Sequence, residues 1–264
     1  PPHHPCGRPR YLPPHPALQD FSVSALGPHA FFILPASISS TRIVFTFAYT
    51  AAIWKSVRVN FWASANPQIQ LGYFSTNRLT FTNGSASAST PIQAAFSAND
   101  NPVVRAFLNG YQSTSNEVQI AAIPSNLQTT NLTIRINIGP NTNISAVWVS
   151  WVAFSTASAS FTAYGGSLAK NSFTGQASSD VSGSLYQNVY LLYGLASLSL
   201  KNSAPLALTC QINNFQLAVN ANGNLDSFGL IYIVAGNAPS QLCAQCGAAS
   251  YAYTNSCLTA CPLG

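Results

Sequence analysis

The sequence predicts an all-β protein: one or two antiparallel β-sandwiches in tandem, an extended Pro-rich arm before them and a small disulfide-rich module after. Three observations predict it. From about residue 31 to residue 240, apolar and polar residues alternate with period two, and Val, Ile, Phe, Tyr and Thr dominate the apolar positions. Clusters of Asn, Gly, Ser and Pro cut this pattern into short runs, the spacing of a sandwich rather than of a parallel sheet wrapped in helices. No segment combines a helical period with capping residues.

The elements follow in chain order. Residues 1–30 read as an extended Pro/His-rich arm, because PPHHPCGRPRYLPPHPALQ is dense in a residue that fixes φ and lacks a donor. Such an arm is either a flexible leader or a segment that lies on a neighbouring subunit, fixed through Cys6. Strands are expected at Ile43–Thr50, Ser56–Ala63, Gln68–Phe74, Val103–Leu108, Glu117–Ile123, Leu132–Ile138 and Ala146–Phe154. These place a first sandwich over residues 31–157. Further strands at Ser158–Tyr164, Val189–Leu192, Ala196–Leu200, Ala207–Ile212, Phe215–Asn220 and Gly229–Val234 make residues 158–240 a second sandwich or an extension of the first. Asn131–Asn137 with its Gly-Pro-Asn loop resembles Asn214–Asn220 with its Asn-Gly-Asn loop. This is either a degenerate tandem repeat of roughly 85 residues or the common look of two Asn-rich turns.

Residues 241–264 carry Cys243, Cys246, Cys257 and Cys261; with Cys6 and Cys210 they make six cysteines. An even count, packed this way, reads as disulfides in an oxidising compartment. The C-x2-C-x10-C-x3-C spacing would also suit zinc, but the stretch between Cys243 and Gly264 has no Lys, Arg or His. Asn83, Asn131 and Asn143 each begin an N-glycosylation triplet. The chain opens on Pro rather than Met and shows no signal peptide, which suggests a processed end.

Charge narrows the function. Only 6% of residues are charged, against about a quarter in an ordinary soluble domain. With so few charges to keep surfaces apart, glycans or neighbouring copies must cover them, and both belong outside the cell. The formal charge is +5, but the basic residues are scattered, Lys55 and Arg58 being the closest pair beyond the N-terminus. Nucleic-acid binding needs a clustered basic stripe, so none is expected. No apolar run reaches the ~18 residues a membrane helix needs.

No catalytic constellation is legible. The carboxylates Asp20, Asp100, Glu117, Asp180 and Asp226 lie at least 17 positions apart in sequence, and His29 stands without an evident nucleophile beside it. His3, His4 and His15 sit in the proline arm, where composition explains them, and the Asn-rich loops around Asp100 and Asp226 lack a second carboxylate for calcium. No enzyme, metal or cofactor is therefore expected. Among the aromatics, Trp148 and Trp151 are three apart on one strand and so point to opposite faces. Together with Tyr111 they form the candidate ligand-binding patch, with Trp54, Trp62, Tyr73 and Phe96 as further candidates for sugar stacking; core packing is the default reading for each.

The stretch FSANDNPVVRAFLNGYQ followed by NLTIRINIGPNTNISAVWVSWVAFS resembles an H-type lectin domain. The likeness lies in Phe96 ahead of Pro102-Val103-Val104, the turn near Asn109-Gly110-Tyr111, and Ser150-Trp151-Val152 on the last strand. It covers about residues 81–155 and implies a six-stranded sandwich that oligomerises, often as trimers. In that family an aromatic–His pair before the last strand grips galactose or N-acetylgalactosamine; here that loop reads Gly139-Pro140-Asn141-Thr142. The tail resembles the start of a growth-factor-receptor-type Cys-rich repeat, as in protist surface proteins, with Cys261-Pro262-Leu263-Gly264 as an element after which such repeats continue. That resemblance implies the pairs Cys243–Cys257 and Cys246–Cys261, leaving Cys6 for Cys210. The expectation is an extracellular structural glycoprotein, a self-assembling subunit of a surface coat, filament or appendage; the alternative is a secreted lectin or adhesin.

Overall fold

A computed structural model describes residues 15–24, 28–38, 42–50, 53–62, 69–76, 84–91, 96, 102–127, 131–154, 162–180, 187–201, 206–213, 216–237, 251–253 and 256–258. The described chain is strands and turns throughout, as its alternation predicts.

One sheet has five strands in the order β3(Ile43–Tyr49), β2(His29–Ile38), β7(Val103–Ser113), β10(Ile144–Phe154), β5(Ile69–Thr76). The larger sheet runs β4(Trp54–Trp62), β1(His15–Val23), β13(Leu206–Asn213), β14(Gln216–Asn237), β12(Gln187–Leu200), β8(Val118–Leu127), β9(Asn131–Ile138), β6(Ser85–Pro91), with β11(Thr162–Asp180) also on β14. All pairings are antiparallel. A separate hairpin, β15(Tyr251–Tyr253) and β16(Ser256–Leu258), lies between Cys246 and Cys261.

The two halves of the chain share the larger sheet. β12 pairs with β8 through Ser197–Leu200, and β13 pairs with β1 through Leu206–Leu208. Strands β11, β12, β13 and β14 thus lie in the same sheet as β1, β4, β6, β8 and β9. Nor is the N-terminal segment an arm throughout: from His15 onward it is a strand. Ala17, Leu18, Phe21 and Val23 are buried there, and apolar area removed from water outweighs the proline content. Pro16 is tolerated because β1 pairs only with β4 at that end, so one flank needs no donor.

Two apolar clusters lie on opposite faces of the five-stranded sheet. Val149, Trp151 and Ala153 enter the main core with Leu18, Phe21, Ile134, Leu198 and Leu230. Val152 and Phe154 join Phe107 and Leu71 in a smaller cluster with Ala17, Leu192 and Ile233. Strand β9 shows single-faced alternation, with Leu132, Ile134 and Ile136 inside, whereas β10 from Val149 to Phe154 is buried continuously.

The Asn-rich likeness between residues 131–137 and 214–220 does not carry into the fold. After β9 the chain turns at Gly139–Thr142 and crosses to the other sheet. After Asn220 it runs on in β14, and Gly223, at φ +100°, accommodates an irregularity opposite Phe173–Gly175.

Candidate functional site

The aromatic patch expected from Trp148, Trp151 and Tyr111 is not assembled on the surface. Trp151 and Tyr111 are each 1% exposed. Trp148 is half-buried and stacks on Phe32, with ring centroids 4.4 Å apart. The opposite-face reading of the two tryptophans holds, but the outward face is already occupied by a neighbour. Tyr111 instead shares a 2.8 Å hydrogen bond with His29 Nε2 in the core, beside Trp54 and Phe31. Burial pushes the Tyr111 phenol well above its ordinary pKa.

Solvent-facing aromatics collect elsewhere. Strand β3 ends one sheet and β4 ends the other, and the turn through Thr50 and Ile53 joins them: the amides of Ile53 and Trp54 both donate to Thr50 O, at 3.0 and 3.1 Å. Phe45, Phe47 and Tyr49 alternate along β3, and Phe47 packs edge-on against buried Phe31. Because the opposing sheet stops at β4, these rings are left partly uncovered. Phe47, Tyr49 and Phe61 are 43%, 50% and 47% exposed. Phe47 touches Tyr49 at 5.0 Å and Phe45 touches Phe61 at 5.5 Å between ring centroids. The result is a seam, closed at the Thr50–Trp54 turn and running to the Phe45–Phe61 contact. At its closed end is a cleft of about 350 Å³ lined by Phe47, Tyr49, Trp54, Lys55, Ser56 and Val57. Trp54 is buried, and its Nε1–H has no hydrogen-bond acceptor among the described residues. Sequence reasoning counted Trp54 among the stacking residues and overlooked Phe45, Phe47, Tyr49 and Phe61. The signal was there as alternating aromatics in IVFTFAY, but alternation cannot tell a covered strand from one whose partner sheet ends too soon.

A second concavity, of about 610 Å³, lies where β11, β13 and β14 present Gln176, Ser178, Gln211, Gln216 and Asn220, with Arg58 at its margin. Behind it, Arg58 pairs with Asp20 at 3.2 Å, and Gln19 Nε2 donates to Asp20 Oδ2 and to the carbonyl of Cys210. Burial pushes the Asp20 carboxyl up, against the opposing pull of Arg58 and its hydrogen bonds. Burial and the Asp20 charge push the Cys210 thiol up to about 12. A thiol so protonated is a packing group, not a nucleophile.

Cys210 is buried and faces the core with no disulfide partner among the described residues; Cys6, Cys243, Cys246 and Cys261 lie outside them. Cys257 pairs with Ala252 through the backbone. Asn131 and Asn143 are exposed, so a glycan could leave either, whereas Asn83 lies outside the described residues. The Gly139–Thr142 loop is held internally and to residues 117–119: Thr142 N donates to Gly139 O, Gln119 N to Thr142 Oγ1 and Asn141 Nδ2 to Glu117 Oε2. Among the described residues no group of His, Cys, Asp and Glu could hold a metal ion, and no helix is long and apolar enough to cross a membrane. Comparison with protein families, with curated proteins and with solved structures finds no match.

Proposed function

We propose that this chain is an extracellular structural glycoprotein, a self-assembling subunit of a surface coat, filament or appendage built on lectin-like β-sandwiches. The observation that carries the reading is the aromatic seam. Contiguous rings left in water at an open sheet edge mark a contact surface, and a chain with 6% charged residues has little else to keep that surface apart from its neighbours. Among the described residues β3 and β4 each pair on one side only, and such edges favour pairing with another chain. Support for an extracellular setting comes from the exposed Asn131 and Asn143 triplets and from the cysteine-dense tail. The division of β5–β10 into three strands on each sheet suits the six-stranded sandwich that the H-type lectin resemblance implies.

Negative-stain electron microscopy with light scattering on native material, before and after reduction, tests it. Ordered assemblies are expected. A chain that remains monomeric at high concentration, with its N-terminus open to protease, would sink the reading.

The amide-lined concavity favours a second reading, a secreted lectin or adhesin. Gln176, Gln211 and Asn220 offer the paired donors and acceptors that sugar hydroxyls require. A glycan-array signal competed by free sugar and lost in Gln176→Ala or Gln211→Ala would put this reading first.

A further inference from the structure

The geometry points to an occupant for the seam: the Pro-rich residues 1–14 of a second copy of this chain, seated between β3 and β4. The inference rests on the assembly reading and names the contact that reading leaves open.

Three observations converge. First, the chemistry matches. Proline rings pack on aromatic faces, and a Pro-rich segment fits an aromatic-lined groove with little entropy left to lose. Residues 1–14, PPHHPCGRPRYLPP, supply prolines at 1, 2, 5, 9, 13 and 14. The seam supplies Phe45, Phe47, Tyr49 and Phe61. Second, an N–H is waiting. Trp54 lines the cleft, and its buried Nε1–H has no acceptor among the described residues. Prolines present carbonyls with no amide hydrogens to match them, so a Pro-rich segment is richer in acceptors than in donors.

Third, the connectivity fits. His15 pairs with Trp62 and Pro16 with Phe61, so residues 1–14 join β1 at the Phe61 end of the seam. Because β1 is antiparallel to β4, the chain traced backwards through His15 runs away from Trp54. Pro13, Pro14 and Pro16 disfavour a sharp reversal back into its own seam and favour a neighbour's. The lengths agree too. The seam between Lys55 and Phe61 spans roughly 20 Å at a strand's rise per residue, which takes about six or seven residues of polyproline helix. Two copies exchanging arms would form a closed pair. The charges near the contact are positive, Arg8 and Arg10 on the segment and Lys55 by the seam. Arg58 is already paired with Asp20. Salt should therefore tighten the contact or leave it unchanged.

The test uses the full chain and a synthetic peptide of residues 1–14. Calorimetry and light scattering should show saturable peptide binding that breaks up the assembly in excess peptide. The double variant Phe47→Ser/Tyr49→Ser changes two exposed rings, and circular dichroism checks that it folds. It should lose both peptide binding and assembly. Trp54→Phe keeps a ring but removes the N–H, and should weaken the peptide about tenfold, the equivalent of ~1.4 kcal/mol. An assembly indifferent to the peptide and to the seam variants overturns this proposal and leaves the assembly reading standing. A wild-type monomer whose N-terminus becomes protease-sensitive only in the seam variant overturns exchange between copies, the segment then lying in its own seam. A free oligosaccharide that blocks the seam while the peptide does not overturns the choice of occupant.

Discussion

At the scale of single residues, the buried polar groups are the sensitive ones. Asp20 sits between β4 and β13 with its carboxyl pushed above the ordinary range, chiefly by burial. The folded state therefore holds that proton more tightly than the unfolded chain does. Stability from this group is greatest below the ordinary carboxylate pKa, falls as pH rises through the window up to the raised value, and then levels. In Asp20→Asn, urea midpoints from pH 4 to pH 7 should lose this slope; an unchanged slope would place its origin elsewhere. Arg58 is mostly exposed, so its pairing is screened and offsets little. Tyr111→Phe removes a wholly buried hydrogen bond to His29 and should cost about 1–2 kcal/mol, read as a lower urea midpoint at unchanged slope. Cys210, with its thiol pushed up to about 12, should resist alkylation at pH 8 in the native state and react once unfolded. Whether that reaction also needs reductant reports on the pairing with Cys6.

At the scale of elements, close approach of strands sets what each can tolerate. Gly110 of β7 lies opposite Phe32 of β2, and a Cβ there would collide with the Phe31 carbonyl and the Phe32 backbone. Backbone cannot rotate away as a side chain can. Gly110→Ala should therefore cost at least about 3 kcal/mol, the upper end of overpacking, or push β2 off β7. Thermal melts distinguish this from the few-tenths effect of an exposed site. Asn109-Gly110-Tyr111, where the lectin resemblance puts a turn, lies within a strand: β7 continues to Ser113 with an irregularity against β10 at Asn109, whose Nδ2 donates to Ser150 at 2.6 Å. Elsewhere, the runs Val189–Leu192 and Ala196–Leu200 merge into β12, because Gly194 packs against Ala17 and Phe107 rather than turning.

At the scale of the whole molecule, the fold ties residues 15–23 to residues 206–208 and residues 118–121 to 197–200. Pairings this distant in sequence make closure slow and cooperative. Removing residues 1–23 would take out β1, the one strand that pairs with β4 among the described residues, and expose Phe21 and Val23's neighbours in the core. Such a chain should lose its cooperative melt altogether, by circular dichroism. Were the whole N-terminal stretch merely an arm, the melt would survive unchanged.

The all-β class and most strand positions were set by the sequence alone. Period-two alternation is local, and each of β3, β4, β5, β7, β8, β9, β10 and β13 answers to a run that alternation picks out. Strand β1 was hidden by its prolines, and β6 by the small residues of SASASTP, which carry almost no hydrophobic signal. What only the tertiary structure decided is which strands share a sheet and which faces find cover. Trp151 and Tyr111 became core while Phe47 and Tyr49 stayed in water, although all four stand at apolar positions of good strands. Alternation says which side of a strand is apolar. It does not say whether the opposing sheet reaches far enough to cover that side, because the answer depends on strands far away in sequence.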